Sequence, residues 1–379
     1  MIAARRPGLL TLLCLLLTAG GAAALAAPID DPFPLRNQLP FNLLWLDQTP
    51  RGATLPGPRE TRLTIHVAYE NTLVATDSLV SLFREDDFAT FDGRVTRPVL
   101  EGIAAGTPGG TAFFLDGETL RTSIDARFGI SRRFEAGIEV PLLLHSGGLF
   151  DGTIDGYHDR FGFPDGGRPV FARDRFVAGY VGDGASVFIE GPPGGVGLGD
   201  VVLSGRLALS DPATRATAIA LALELKLPTG DPDRLEGSGS LDYGASLQMS
   251  RAFGRHTLHA GYGYAAHGEW DLAPSLPVIA SRSLYGAWAI RLTPRSALIA
   301  QVLRSTGSFP FRPENDLGRL AHEIALGIRH RTARGPHLEA ALIENLSRSL
   351  NTPDIGIFVG VGLPLRGRTG PSTSRGETP

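Results

Sequence analysis

Residues 216–228 read Ala-Thr-Ala-Ile-Ala-Leu-Ala-Leu-Glu-Leu-Lys-Leu-Pro, and their period of two decides the fold. The odd positions are Thr217, Ile219, Leu221, Leu223, Leu225 and Leu227. The even ones are Ala218, Ala220, Ala222, Glu224 and Lys226. In a strand successive side chains point to opposite faces, so one face is greasy and the other small or charged. The stretch has the length of a tilted strand crossing a bilayer.

The same alternation recurs along the chain. Leu120, Ile124, Phe128 and Ile130 oppose Arg121, Ser123, Asp125 and Arg127; Leu241, Tyr243, Leu247 and Met249 oppose Asp242, Ser246 and Gln248. In the last segment Ile355, Ile357, Val359, Val361 and Leu363 oppose Gly356, Phe358, Gly360 and Gly362. About twelve such segments start near residues 61, 112, 134, 198, 216, 240, 256, 281, 296, 320, 337 and 354. Their connections alternate short and long. The short ones include Ser131-Arg132-Arg133 and Thr293-Pro294-Arg295. Long ones fall near 77–111, 147–197, 229–239, 268–280, 307–319 and 347–353. A soluble β-sandwich also alternates apolar and polar residues, but has no reason to alternate its loop lengths. The expected fold is therefore all-β: a transmembrane antiparallel up-and-down barrel of about twelve strands, with short periplasmic turns and long extracellular loops. A weak hairpin at 175–189 would make the count fourteen if it crossed the membrane; its short arms place it outside.

The ends divide the chain further. Arg5 and Arg6, the apolar run Leu9 to Leu17 and the small-x-small Ala24-Leu25-Ala26 have the order of a secretory signal peptide, expected over residues 1–27. Cys14, the single cysteine, lies in that run, so no disulfide or thiolate chemistry is expected of the remainder. Residues 28–59 form a Pro-rich periplasmic lead, 60–365 the barrel, and 366–379 a polar tail. No later run is apolar enough for a membrane helix. The 36 basic residues nearly balance the 39 acidic ones, so no nucleic-acid partner is indicated.

Several passages carry a resemblance: Phe33 to Pro40 (FPLRNQLP), Glu139 to Leu142 (EVPL), Ser146-Gly147-Gly148, Asp151 to His158 (DGTIDGYH), Gly197 to Asp200 (GLGD), Lys226 to Asp231 (KLPTGD) and Gly237 to Ser240 (GSGS). This set resembles a family of proteobacterial outer-membrane proteins, the domain-of-unknown-function family 3187. The last two passages are also similar to porin-like barrels of meta-pathway phenol-degradation operons. The resemblance implies a barrel in the outer membrane, surrounded by lipid and lipopolysaccharide and inserted by the barrel-assembly machinery. It implies no chemistry. One departure is that the last strand ends Gly362-Leu363-Pro364-Leu365 and runs into a polar tail, whereas such barrels usually end on an aromatic residue.

Asp151, Asp155, His158 and Asp159 form the best metal-like cluster, with hard oxygen ligands suited to a divalent cation. The plainer reading is an Asx- and Gly-rich turn bonding its own backbone, and neither a metal nor a cofactor is expected. No G-x-S-x-G is present, and the glycines of 194–199 have no following helix to cradle phosphate. His66 and His259 fall on polar faces, and no lipid-facing Ser–His pair is expected, which argues against a membrane hydrolase. The constellation with functional promise is the inner wall: Arg121, Asp125, Arg127, Glu139, Arg206, Glu224, Lys226, Gln248, Arg291, Glu323 and Arg329, together with Arg62, His66, Glu135, Gln301 and Glu339. It reads either as ion pairs filling a narrow lumen or as the lining of a polar path; twelve strands lie between filled eight-stranded barrels and open sixteen-stranded porins. The lead adds a candidate plug or, equally, a segment that packs beneath the barrel or contacts a periplasmic partner. Phe33, Leu35, Phe41, Leu43, Leu44, Trp45 and Leu46 are too much apolar surface to leave in water, and Arg36, Asn37 and Gln38 could pair with the wall. The expected function is a passive channel for an unidentified small molecule. The alternative is a closed structural or surface-binding barrel acting through its extracellular loops, and an outer-membrane hydrolase is a distant third.

Overall fold

A computed structural model describes residues 28–366 apart from 85–92, 149–151, 153–155, 157–159, 161–169, 211–216, 311–315, 347–350 and 354. The expected signal peptide, most of the expected tail, and the weak metal candidates Asp151, Asp155, His158 and Asp159 lie outside the described residues.

Twelve antiparallel strands close into a barrel. They are β1 (Glu60–Ala75), β2 (Ala112–Gly129), β3 (Phe134–Ser146), β7 (Val202–Ala208), β8 (Thr217–Lys226), β9 (Asp242–Phe253), β10 (His256–Ala266), β11 (Ser281–Thr293), β12 (Ser296–Thr306), β13 (Leu320–Arg331), β14 (His337–Asn345) and β15 (Ile355–Arg366). β15 returns to β1 in a ladder running from Glu60↔Arg366 to Asn71↔Ile355, so the wall has no free edge. The short turns gather at one end: Gly254-Arg255 joins β9 to β10, and Pro294-Arg295 joins β11 to β12. Gly254 has φ +59°, the left-handed conformation that so tight a reversal needs.

The count is twelve, not fourteen. β4 (Val177–Gly182) and β5 (Ala185–Glu190) form the 175–189 hairpin, which pairs with Ala112–Asp116 at the long-loop end of β2 and does not enter the barrel wall. A two-residue strand, β6 (Gly197–Leu198), lies against Leu142 and Leu143 of β3. Two helices that strand periodicity did not reveal pack on this hairpin: α1 (Asp77–Arg84) and α2 (Arg97–Gly106). Pro98 sits in the first turn of α2, where its missing N–H costs nothing. Leu100 and Ala104 then bury against Phe114, Phe171 and Val177. Arg97 donates to the backbone oxygens of Ser186 and Phe188, which blunts the exposed edge of β5.

The alternation of β8 appears directly in its exposure: Leu223 is 59% exposed on the outside, whereas Ala220 and Ala222 are fully buried inside. The outer belt is aliphatic, with Tyr243 and Tyr264 toward the long-loop end and Phe128, Phe134 and Phe253 toward the short turns. That is the arrangement of a membrane barrel, with aromatic side chains at both interfaces. Leu221→Arg is expected to cost about 2–4 kcal/mol, because its side chain faces the middle of the lipid layer. The measure is the membrane-inserted fraction and heat-modifiable gel mobility. Ala222→Arg points inward and should still insert; equal damage from the two would invalidate the assignment of faces.

Candidate functional site

The inner wall is not empty. Residues 28–59 enter it at the short-turn end, climb to the long-loop end, and return. On the climbing leg the Asp30 carboxylate accepts from Thr257 Oγ1 at 2.6 Å, and the Arg329 guanidinium donates to the backbone oxygens of Asp31 and Pro32. The Gln301 amide brackets Phe33, accepting from its N–H at 2.8 Å and donating to its C=O at 3.0 Å. Higher up, Gln38 Nε2 donates to Glu70 Oε1 at 2.7 Å, and Asn37 Nδ2 to the Asn351 carbonyl at 2.8 Å. The chain reverses through a 3₁₀ turn, Asn42–Leu44. Arg36 does not pair with the wall, as its sequence position had suggested. It donates to the carbonyls of Asn42 and Trp45, both at 2.7 Å, and so staples the lead's own turn.

On the descending leg Leu46 N–H donates to Asp242 at 2.7 Å, and Arg51 meets Asp125 at 3.0 Å. Arg206 donates to the Gly52 carbonyl, and Ala53 N–H to Ser250 Oγ at 2.8 Å. Each leg thus satisfies its backbone groups with side chains of the wall, as a buried irregular segment must.

The small residues on the inner faces of β8, β9 and β10 make room for it. Ala53 packs on Ala218 and Ala220. A Cβ on Gly263 would lie 2.4 Å from Gln48 Cγ, and one on Gly244 would lie 2.3 Å from Gln48 Nε2.

At the long-loop end the apolar part of the lead becomes the centre of a cluster. Phe41 lies 5.6 Å from Trp270 and 5.8 Å from Phe309. Trp45 meets Phe309 edge-on at 5.6 Å, and Tyr180 of the hairpin stacks on Phe309 at 5.6 Å. Trp45 Nε1 donates to the Gly268 carbonyl at 3.2 Å, so its one polar atom is satisfied. Burial pushes the His267 imidazole below its ordinary value, opposed by the Ile279 and Leu46 carbonyls at its two ring nitrogens.

Beneath this cap lies the residue that unites the sequence motifs. Lys226 is 2% exposed. Its ammonium lies 2.5 Å from Asp200 Oδ2 and 3.4 Å from Asp242 Oδ2. It also donates to Ser238 Oγ at 2.8 Å, to the Ser240 carbonyl at 3.1 Å and to the Leu44 carbonyl of the lead at 3.1 Å. Asp200 in turn accepts from the N–H groups of Thr229 and Gly230 at 3.0 and 2.8 Å. The GLGD, KLPTGD and GSGS passages thus converge on one buried charge that also holds the lead's turn. Asp200 and Asp242 were not among the candidate site residues; their shared partner is invisible until the strands are paired.

Lower in the barrel several wall charges are paired. Arg121 pairs with Glu139; Arg127 with Asp125 at 2.6 Å and Glu135 at 3.2 Å; Arg206 with Glu135 at 3.2 Å; Arg329 with Glu339 at 2.5 Å. Gln248 accepts from Arg206 at 2.7 Å, and His66 lies 3.1 Å from Glu339. Glu224 and Glu323 are buried on the same wall. Arg291 departs from the lumen assignment. It has inward parity but stands at the short-turn rim with its side chain 40% exposed, 3.5 Å from Asp30. Between the two legs and the wall a small cavity of about 70 Å³ remains, lined by residues including Arg51, Arg62, His66, Asp125, Arg329 and Glu339.

Two Ser–His pairs bear on hydrolysis. Ser250 and His259, 2.7 Å apart, face inward, but neither lines that cavity, and both bond the lead. Ser296 and His330, 2.9 Å apart, are on the outer face near the short turns, so a lipid-facing Ser–His pair exists after all. It arises across two strands, at Ser296↔His330, where sequence spacing gives no hint of it. Among the described residues no carboxylate bonds either member, so the third component that orients a catalytic histidine is missing.

Solved structures similar to this chain are outer-membrane barrels. The COG4313 outer membrane channel from Pseudomonas putida F1 is 11% identical over 82% of this chain and 97% of its own, with TM-score 0.49. The P. putida toluene transporter TodX is 11% identical over 83% and 94%, with TM-score 0.40, and a Pseudomonas aeruginosa FadL homologue 12% identical over 91% and 100%, with TM-score 0.36. No functionally curated protein matches the sequence. The model of one family, "Protein of unknown function (DUF3187)", matches residues 110–363, the greater part of the barrel, and the chain belongs to that family.

Proposed function

We propose that this protein is a passive outer-membrane channel for small molecules whose lumen is occupied by its own N-terminal segment. The observation that carries the reading is the path of residues 28–59 inside a twelve-stranded wall rich in paired charges, with a solvent-open cavity of about 70 Å³ beside it. A purely structural barrel of this girth has no need to import a second chain segment. A pore that must stay closed to general solutes does, because twelve strands enclose more space than their own side chains fill.

A second reading has its own support. The aromatic cluster around Phe41, Trp45, Trp270 and Phe309, roofed by the β4–β5 hairpin and α2, closes the long-loop end with apolar packing. A barrel permanently sealed there would act through its extracellular surface. Ion conductance of the full-length protein in planar bilayers separates the two. The channel reading expects discrete openings, and the sealed-barrel reading expects none, either from the full chain or from one lacking the lead.

A further inference from the structure

Among the described residues, one sector in the long-loop half of the lipid-facing side gathers cationic side chains, with Glu344 of β14 at its margin. There Arg282 on β11, Arg304 on β12 and His322 on β13 all point outward. The register sets them side by side: Arg304 stands opposite Leu284 on one flank and His322 on the other, and Arg282 stands opposite Tyr264. Both arginines are exposed, and among the described residues no ion pair or side-chain hydrogen bond engages either guanidinium. Below them the wall is apolar again, with Tyr262, Leu284 and Val302 all exposed to lipid.

A guanidinium on the outside of a membrane barrel is tolerated near the interface and opposed toward the midplane. Arg282 and Arg304 lie within the last three residues at the long-loop ends of their strands, which is interfacial depth. On the short-turn side the outward cation Arg251 stands on β9 without such neighbours, so the cluster belongs to one leaflet. Three adjacent strands thus offer two planar forks, an imidazole and the Tyr264 hydroxyl to the head-group layer. Guanidinium forks match phosphate oxygens in pairs, and tyrosine is at home where one end is apolar and the other wet.

We infer that Arg282, Arg304, His322 and Tyr264 form a site on the outer wall for the phosphate groups of an outer-leaflet glycolipid, lipopolysaccharide. The site needs no change in the lumen and stands whether or not the barrel conducts. The charge complementarity is direct: unpaired cations on the protein meet phosphate esters that the bilayer presents at the same depth. Acyl chains of the same lipid would continue down over Leu284 and Val302. A second copy of this chain is a poorer occupant, since the patch is cationic and a two-fold contact would set like charges together.

The test uses the full-length barrel in detergent and purified lipopolysaccharide as the probe, with binding followed by native mass spectrometry. Arg282→Gln/Arg304→Gln is expected to bind at least about tenfold more weakly than the unaltered protein, the scale of losing charge-assisted bonds. Arg251→Gln should bind as the unaltered protein does. Dephosphorylated lipopolysaccharide should bind the unaltered protein as weakly as the double variant binds the intact lipid. That arm needs no variant to fold. Equal binding by the double variant, equal loss in Arg251→Gln, indifference to the phosphates, or a dimer that dissolves on the double substitution would each overturn the assignment.

Discussion

Removal of residues 32–50 should raise single-channel conductance severalfold and leave the barrel intact. The ends of that cut are already neighbours: a Cβ on Gly52 would lie within 2.0 Å of the Asp31 carboxylate. The shortened chain therefore closes without strain at the short-turn end and keeps the Arg51, Gly52 and Ala53 contacts to Asp125, Arg206 and Ser250. What leaves is the whole climb and reversal, including Phe33, Phe41 and Trp45. The wall loses ligands at Gln301, Glu70, Lys226 and Asp242, all of which then face water in a wider lumen. Barrel closure depends on the β1–β15 ladder and the other strand pairs, none of which uses the lead. Heat-modifiable gel mobility reports folding, and planar-bilayer recording reports the pore. A deletion that folds normally with unchanged conductance would show that the lead does not limit passage.

The second large effect is expected at Lys226. Its ammonium is flanked by two buried carboxylates and three oxygen acceptors. Lys226→Met keeps the stem and removes the charge, which leaves Asp200 and Asp242 uncompensated. Breaking a buried pair in this way costs about 3–5 kcal/mol. The denaturation midpoint in urea should fall accordingly, and protease access to the 229–241 loop should rise. Replacing all three together, Lys226→Met with Asp200→Asn and Asp242→Asn, should cost less than Lys226→Met alone, because no charge is stranded. A Lys226→Met barrel with an unaltered midpoint would remove Lys226 from the central place assigned to it.

The wall was legible in the sequence because a strand in lipid has one rule, period two, imposed by its two different solvents. Residues 216–228 announce it, and the strand starts near 61, 134, 256, 296 and 337 agree with the observed ones within a residue. Short turns such as Gly254-Arg255 were legible for the same reason: they interrupt the alternation for only a few residues. The helices of the first long loop were not, since ten residues from Arg97 to Gly106 carry too few turns to show a period of their own. The lumen was legible as composition but not as pairing. That Glu135 would serve both Arg127 and Arg206 is a matter of register between β2, β3 and β7. Arg291 shows the opposite failure: its parity is inward, yet height along the strand puts it at the rim. The lead's apolar surplus was visible, but its hairpin path was not, because it rests on hydrogen bonds to strands distant in sequence, such as Gln301 to Phe33 and His259 to Asp30.

The lead's place inside the barrel is the central claim, and one cross-link tests it directly. Cys14 is the chain's single cysteine, so a Cys14→Ser background gives an engineered pair no competitor. Ala53 N–H and Ser250 Oγ are 2.8 Å apart, which puts Ala53→Cys and Ser250→Cys within bridging reach. With mild oxidant in intact membranes, the account predicts near-complete disulfide formation, seen as a reducible shift in gel mobility, whereas Ala53→Cys paired with the outward Met249→Cys stays free. A folded barrel in which the Ala53–Ser250 pair does not close, or closes no better than the Met249 pair, would contradict it.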